Sequence, residues 1–510
     1  MKRRLCIGIS NSSPSWKLIL DQIGAHYEEL SYQTALIKSY SCIILTSKIN
    51  KGEHHLVLDY LDSGGCVIDT NGQNFFDSKN ISNEYRKHLF NNNSIFSESY
   101  LDIFDQVSTI DQNGFFDQAI SIKKKEQGLL CFWGLPIDRL MSNSKFLRKQ
   151  FLDSDRLFPN EIVAQVSKGK IRRIIEELLI HIHQELSLPF IRKNYFSSDS
   201  SSSFLFRIDT DYSNKATIKR LYALADKHKI SMTWFLHVQA HEQWLSEFKG
   251  MKNQEIAVHG YKHGTSSSYQ KNGDNIRAAM DLLSESDVSF SGYCAPYGIW
   301  NSGLAQLMDE YNFEYASEFS LNYDDLPFFP ISQNTPYAHL QIPIHPICIG
   351  SFLRKRASVQ QMKSYFQSYI EYQIAIGEPI VLYHHPMQGH EQVLEHIFEY
   401  INQLNIPSVS FSEFSSFWKM RNESLFEAFW ENDVIEIRSD SNKELTYNIY
   451  WGSKKGMVSN SKNTYRLSEI TLETVTEVPL ISLSVIRKLL HRNLKLRKWS
   501  VLDWYRRERL

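Results

Sequence analysis

The sequence predicts an α/β protein with an N-terminal parallel-sheet α/β domain, a central distorted (β/α) barrel, and a small C-terminal β module closed by a basic terminal helix. Three observations carry this reading. Short apolar runs alternate with amphipathic helical stretches through the first part of the chain, as in βαβ units. A second, longer series of the same kind runs from 204 to about 422. Beyond 430 the alternation is that of strands alone until a basic tail begins.

The first series reads RLCIGIS, WKLILDQIGAHYEEL, SCIILTS, HHLVLDYLDSGG and CVIDT, then a later strand in GLLCFWGLP at 128–136 and an amphipathic helix in KGKIRRIIEELLIHIHQEL at 168–186. A polar run, SSDSSSS at 197–203, separates it from the second series and suits a linker. The expected domains are therefore 1–195, 204–422 and 430–510. The 1–195 segment resembles the flavodoxin-like layer of class I glutamine amidotransferases. That resemblance implies a nucleophilic cysteine on a sharp strand-to-helix turn, yet SGGCVID puts Cys66 at the start of a strand, so the domain is read as non-catalytic.

Composition narrows the classes. The chain has 510 residues, 42% of them hydrophobic, enough for more than one core. With 56 basic and 57 acidic residues the balance gives no reason to expect nucleic acid as a partner. The N-terminal apolar run is too short for a signal peptide, and no stretch approaches the length of a membrane span. The six cysteines are widely spaced within apolar runs, which reads as buried thiols in a reducing compartment. A cytoplasmic location is expected, with membrane association left open by the tail. From Arg487 to Leu510 there are nine Lys or Arg against two acidic residues, interleaved with Leu494, Leu496, Trp499, Leu502 and Trp504. Such a helix suits peripheral contact with an anionic membrane surface, or equally a terminal helix packed on its own domain.

The chemistry gathers in the second series. In FRIDTDY, strand alternation puts Arg207, Asp209 and Asp211 on one face and Phe206, Ile208 and Thr210 on the other. Two carboxylates on one side of a barrel strand are costly to bury without a positive partner, which a divalent ion supplies. The stretch EIAVHGYKHG adds His259 and His263 after an apolar run. Asp211, His259 and His263 make a three-ligand set with open positions, the arrangement of a catalytic metal, and Asp209 is left as a base. The ion expected is zinc, with cobalt or manganese compatible.

The order of these motifs resembles the polysaccharide deacetylases with a NodB-homology domain, carbohydrate esterase family 4, over residues 204 to about 420. Asp209 and Asp211 are similar to the family's first motif, here as Asp-x-Asp, and His259 and His263 to its His-x-x-x-His. Pro296, Tyr297 and Gly298 in CAPYG match its third motif, and Leu382, Tyr383 and His384 in VLYHHP its Leu-x-His. The resemblance implies removal of N- or O-linked acetyl groups from a carbohydrate of bacterial surface or cell-wall metabolism. It implies Asp209 as base, His384 as proton donor, and the Tyr297 backbone N–H at the oxyanion. Asp324 or Asp325 would support the last histidine, and Pro296, Tyr297 and Trp300 would line a sugar subsite. Cys294 departs from the family, which has arginine there to hold the base. Arg207, sharing the face of Asp209, is the candidate to replace it, a structural ion pair being the other reading. Without that replacement the chain would be a catalytically weakened carbohydrate-binding or scaffold protein.

Overall fold

The computed structural model describes residues 2–11, 13–111, 114–197, 200, 202–332, 334–491, 496 and 498. The chain divides into two compact units. One comprises 1–143, 166–198 and 420–483, and the other 144–165, 199–419 and 484–510.

The first unit holds a six-stranded sheet in the order Tyr27–Glu29, Ile7–Ser10, Cys42–Leu45, Cys66–Thr70, Gly128–Trp133 and Ile120–Lys125. The first five strands are parallel and the last is antiparallel. Their near-continuous apolar runs are buried because helices cover both faces. Cys66 does open its strand, and all six cysteines are buried free thiols.

Two expected boundaries change. The strands after 425 form no separate module, because Phe426–Glu431 pairs with Arg3–Arg4 and Thr446–Trp451 pairs with Phe190–Lys193. A two-hairpin module has too little apolar surface to stand alone, so its strands extend sheets begun elsewhere in the chain. Arg421 ties this junction. Fully buried, it donates to the backbone carbonyls of Asp21, Gln22 and Ile23 at the end of helix Pro14–Ile23, and to those of Lys193 and Asn194. Gly24 leaves room for it, since a Cβ there would lie 2.2 Å from Arg421 Nη2. The second change is the hairpin Phe146–Gln150/Asn160–Ala164, expected in the first domain, which belongs to the second unit. There Ala164 N–H donates to Phe319 O, and Glu161 pairs with Arg354 at 2.9 Å.

The second unit is built on seven parallel strands: β1 Phe204–Asp209, β2 Thr233–Leu236, β3 Glu255–Val258, β4 Gly292–Tyr293, β5 Tyr315–Ala316, β6 Leu340–Gln341 and β7 Ile380–His384. Their order is β6-β5-β4-β3-β2-β1-β7. The edges do not pair as strands; His345 N–H reaches Val381 O at 2.8 Å instead, which leaves a distorted, incompletely closed barrel. Phe204, Phe206 and Ile208 face outward into a core shared with helices Lys215–His228, Val359–Ile376 and Glu391–Gln403. That outward packing fixes the register of β1 and sends Arg207 and Asp209 inward. Among the described residues no helix is long and apolar enough to cross a membrane. The helix Leu483–Leu490 precedes the basic tail, and Leu494, Trp499, Leu502 and Trp504 lie outside the described residues.

The tie at Arg421 is testable. Replacing Arg421 by Leu strands several buried carbonyls, a loss of about 3–5 kcal/mol. It should lower the urea midpoint of the first unit, while Lys419→Ala, two residues earlier on the same helix, should change it little.

Candidate active site

The inner face of β1 carries two oppositely charged side chains with almost no contact with water. Arg207 donates from Nε to Asp209 Oδ1 at 2.6 Å and from Nη2 to Oδ2 at 2.7 Å. Its remaining nitrogen donates to the backbone O and the Oγ of Ser317. Burial raises the Asp209 carboxyl most strongly, but the Arg207 guanidinium leads the groups that together outweigh it and hold Asp209 below the ordinary carboxylate range. Cys294 completes the surround, with Sγ 3.7 Å from Asp209 Oδ1 and 3.0 Å from His259 Nδ1. The cation beside Asp209 thus comes from β1.

β1 ends at Asp209, so Asp211 is not on the strand as expected. It turns in a left-handed conformation, φ 43°, in which its backbone O accepts from His237 Nδ1 at 3.0 Å. A non-glycine residue at positive φ costs free energy and persists where its surroundings enforce it. The turn aims the Asp211 carboxylate at His259 and His263, whose Nε2 atoms lie 3.4 and 3.0 Å from its Oδ1. Asp211, His259 and His263 form one of the clusters that could hold a metal ion.

The donor set fits a divalent cation. His259 Nδ1 faces the Cys294 carbonyl at 2.8 Å, so that nitrogen carries hydrogen and a neutral ring turns the Nε2 lone pair toward Asp211. Asp211 Oδ1 is shielded from water and faces the Nε2 atoms of both histidines. Lone pairs converging on a buried carboxylate call for a positive charge between them.

The last histidine is a correction. Along β7, Tyr383 pairs with Arg207 and His384 with Ile208. His384 therefore shares the outward face of Ile208 and Leu382 and is buried away from the carboxylates; burial and the neighbouring His385 and His390 push it down to about 3. His385 is the ring at the site, with Nε2 3.6 Å from Asp211 Oδ2 and 3.9 Å from Asp209 Oδ2. Asp324 and Asp325 do not support it. Asp324 pairs with His345 Nδ1 at 2.8 Å, and Asp325 with Asn322 and the Leu326 N–H. His385 instead meets Gln388 and the Cys348 thiol.

The third motif forms the rim. Tyr297, at φ 63°, is half exposed and meets the His263 ring edge-on at 4.9 Å. A Cβ on Gly298 would lie 2.4 Å from the Phe319 ring, so only glycine fits. Pro296 is buried with its carbonyl on Thr265 Oγ1. Trp300 is half-buried with its backbone N–H on Ser320 Oγ, and among the described residues no ring contact joins it to His263. Tyr212, 64% exposed, also meets the His263 ring, at 5.7 Å between ring centres. Sequence reasoning missed Tyr212, although it follows Asp211 directly in FRIDTDY, and it missed His237, Cys348 and Gln388, which share no short motif with the ligands. His385 was legible from period two once β7 was registered against Arg207.

No curated protein sequence matches the chain. Among solved structures it is similar to one described as a probable polysaccharide deacetylase from Pseudomonas aeruginosa PAO1, with 16% identity over 44% of this chain and 93% of that one and a TM-score of 0.38. A CE4 family pseudoenzyme from Bacillus anthracis shares 13% identity over 42% of this chain and 65% of that one, with a TM-score of 0.32. A family 4 carbohydrate esterase from Streptomyces lividans, in complex with acetate, shares 13% over 41% and 91%, with a TM-score of 0.30. Residues 200–316 match the family model described as Polysaccharide deacetylase, and this stretch, which holds Asp209, Asp211, His259, His263 and the Pro296–Gly298 turn, carries a polysaccharide deacetylase domain.

Proposed function

We propose that the second unit is a metal-dependent hydrolase that removes acetyl groups from a carbohydrate, with Asp211, His259 and His263 holding one divalent ion. The observation that carries this is the convergence of those three donors beside the buried Arg207–Asp209 pair. The match to the deacetylase family over 200–316 supports an acetylated carbohydrate as the substrate class. A divalent ion at that position supplies Lewis acidity toward an acyl carbonyl and toward water. Zinc is the first choice for an Asp-His-His set, with cobalt and manganese also suited.

The chain's own groups divide the remaining work. Asp209 stays ionised because Arg207 holds it so, and its oxygens are fixed in direction by the guanidinium fork. It accepts a proton from the attacking water and returns it to the departing nitrogen or oxygen. His385 presents Nε2 to the same space and donates a hydrogen bond to the departing atom. The Tyr297 backbone N–H serves the developing oxyanion. Tyr212 and Tyr297, both exposed and both against His263, offer apolar faces for a sugar ring. The first unit takes no part in the chemistry in this reading. A carbohydrate-binding scaffold without turnover loses its main motive, since Asp209 has its arginine despite Cys294.

Acetate release from N-acetylated chitooligosaccharides and acetyl esters, with zinc, cobalt or manganese added, tests the activity. Stoichiometric metal binding without acetate from any of these would return the scaffold reading. Asp209→Asn should retain metal and lose turnover, whereas His259→Ala should lose both; equal metal loss would mean that base and ligand were exchanged. His385→Gln should lower kcat by about 10²-fold or more, as expected for a group acting on the leaving atom. His384→Gln should stay close to wild type, and the reverse pattern would restore His384.

Arg207→Lys keeps the charge but not the fork, and should lower kcat with metal content intact. The pair also sets an acid limit. The folded Asp209 value lies below the unfolded one of about 3.9, so its contribution to stability is whole above that pH and is lost as pH falls through the folded value. Acid denaturation of Asp209→Asn should lack that component.

A further inference from the structure

Gln388 lies on the turn Pro386–Gln388, directly after β7, and its side chain runs back toward His385. The orientation of its amide is settled by a neighbour that can only donate: the Gly350 backbone N–H gives its hydrogen to Gln388 Oε1 at 2.7 Å. The amide nitrogen is thereby turned to His385 Nδ1 at 2.9 Å and to Cys348 Sγ at 3.6 Å. An NH2 group has two hydrogens and no lone pair to offer. His385 Nδ1 must therefore be the acceptor, which puts the ring's hydrogen on Nε2. That nitrogen faces two carboxylate oxygens, Asp211 Oδ2 at 3.6 Å and Asp209 Oδ2 at 3.9 Å, where a hydrogen is favoured and a lone pair is not.

We infer that Gln388 is a positioning residue that holds His385 as the neutral Nε2–H tautomer, so that the ring meets the departing atom as a hydrogen-bond donor. The amide disfavours a second proton on the ring, because an N–H set against another N–H at that separation is repulsive. A supporting carboxylate would act in the opposite sense, accepting from Nδ1 and favouring the charged ring; Asp324 and Asp325, the candidates for that part, are engaged elsewhere. Gly350 belongs to the same device. A Cβ there would lie 2.4 Å from Gln388 Nε2 and 2.8 Å from Cδ, so only a residue without a side chain lets the amide sit between Gly350 and His385. The catalytic part of this inference rests on the deacetylase reading, whereas the tautomer does not.

Two measurements separate them. In the full-length protein labelled with ¹⁵N at histidine, with His385 assigned by its loss in His385→Gln, Nδ1 should resonate as an unprotonated nitrogen and Nε2 as a protonated one at neutral pH. Gln388→Glu should move hydrogen onto Nδ1, and Gly350→Ala, which displaces the amide without touching the ring, should abolish the single-tautomer signature, as should Gln388→Met. On any acetylated substrate that the wild type turns over, Gln388→Met and Gly350→Ala should lower kcat by roughly 10- to 100-fold with KM nearly unchanged. A protonated Nδ1 in the wild type, or a tautomer indifferent to both substitutions, overturns the inference even if the protein is an active deacetylase. Absence of turnover with the expected tautomer pattern intact would instead count against the deacetylase reading alone.

Discussion

The buried pair of Arg207 and Asp209 is the interaction on which the rest of the second unit depends. Neither charge can be left alone at that depth, because an unpaired buried charge costs several kcal/mol. The two-point fork between them fixes both side chains, and Ser317 takes the guanidinium hydrogens the fork leaves over. Phe235 and Tyr383 present their rings to the guanidinium at 5.1 and 5.7 Å, which suits a weakly hydrated planar cation better than an ammonium. Asp209 is held ionised and aligned, some of its basicity being given up for a fixed direction.

That pair explains how a thiol can stand at Cys294. With the guanidinium arriving from two residues earlier on the same strand, no second cation is required on the loop before Pro296. Cys294 instead offers its carbonyl to His259 Nδ1 and so orients a ring of the candidate metal cluster. Arg207 on β1 and Cys294 after β4 are separated by two strands in the sheet, yet both reach the same inner space around Asp209.

Strand register distributes the remaining groups. β7 lies beside β1 in parallel, so residues opposite each other point the same way, and the order Arg207–Tyr383, Ile208–His384 sends His385 inward. The strained turn at Asp211, tied by His237, then brings a carboxylate around to the two histidines after β3. His237 and Gln388 serve the cluster through a backbone carbonyl and a ring nitrogen, and neither lies next in sequence to the group it holds.

The sequence by itself determined the α/β class, the two βα series, the buried cysteines, and the gathering of Asp209, Asp211, His259 and His263, because period-two alternation and short spacings are local properties of a chain. It also made Arg207 a candidate, since i and i+2 on a strand share a face. Tertiary structure alone decided what depends on pairing between distant segments. The strands after 425 joined sheets begun by residues 3–4 and 190–193, the hairpin at 146–164 passed to the second unit, and the inward histidine became His385 in place of His384. Motif spacing cannot fix that last choice: a one-residue offset in register exchanges the two faces of a strand, and only the neighbour it pairs with sets the offset.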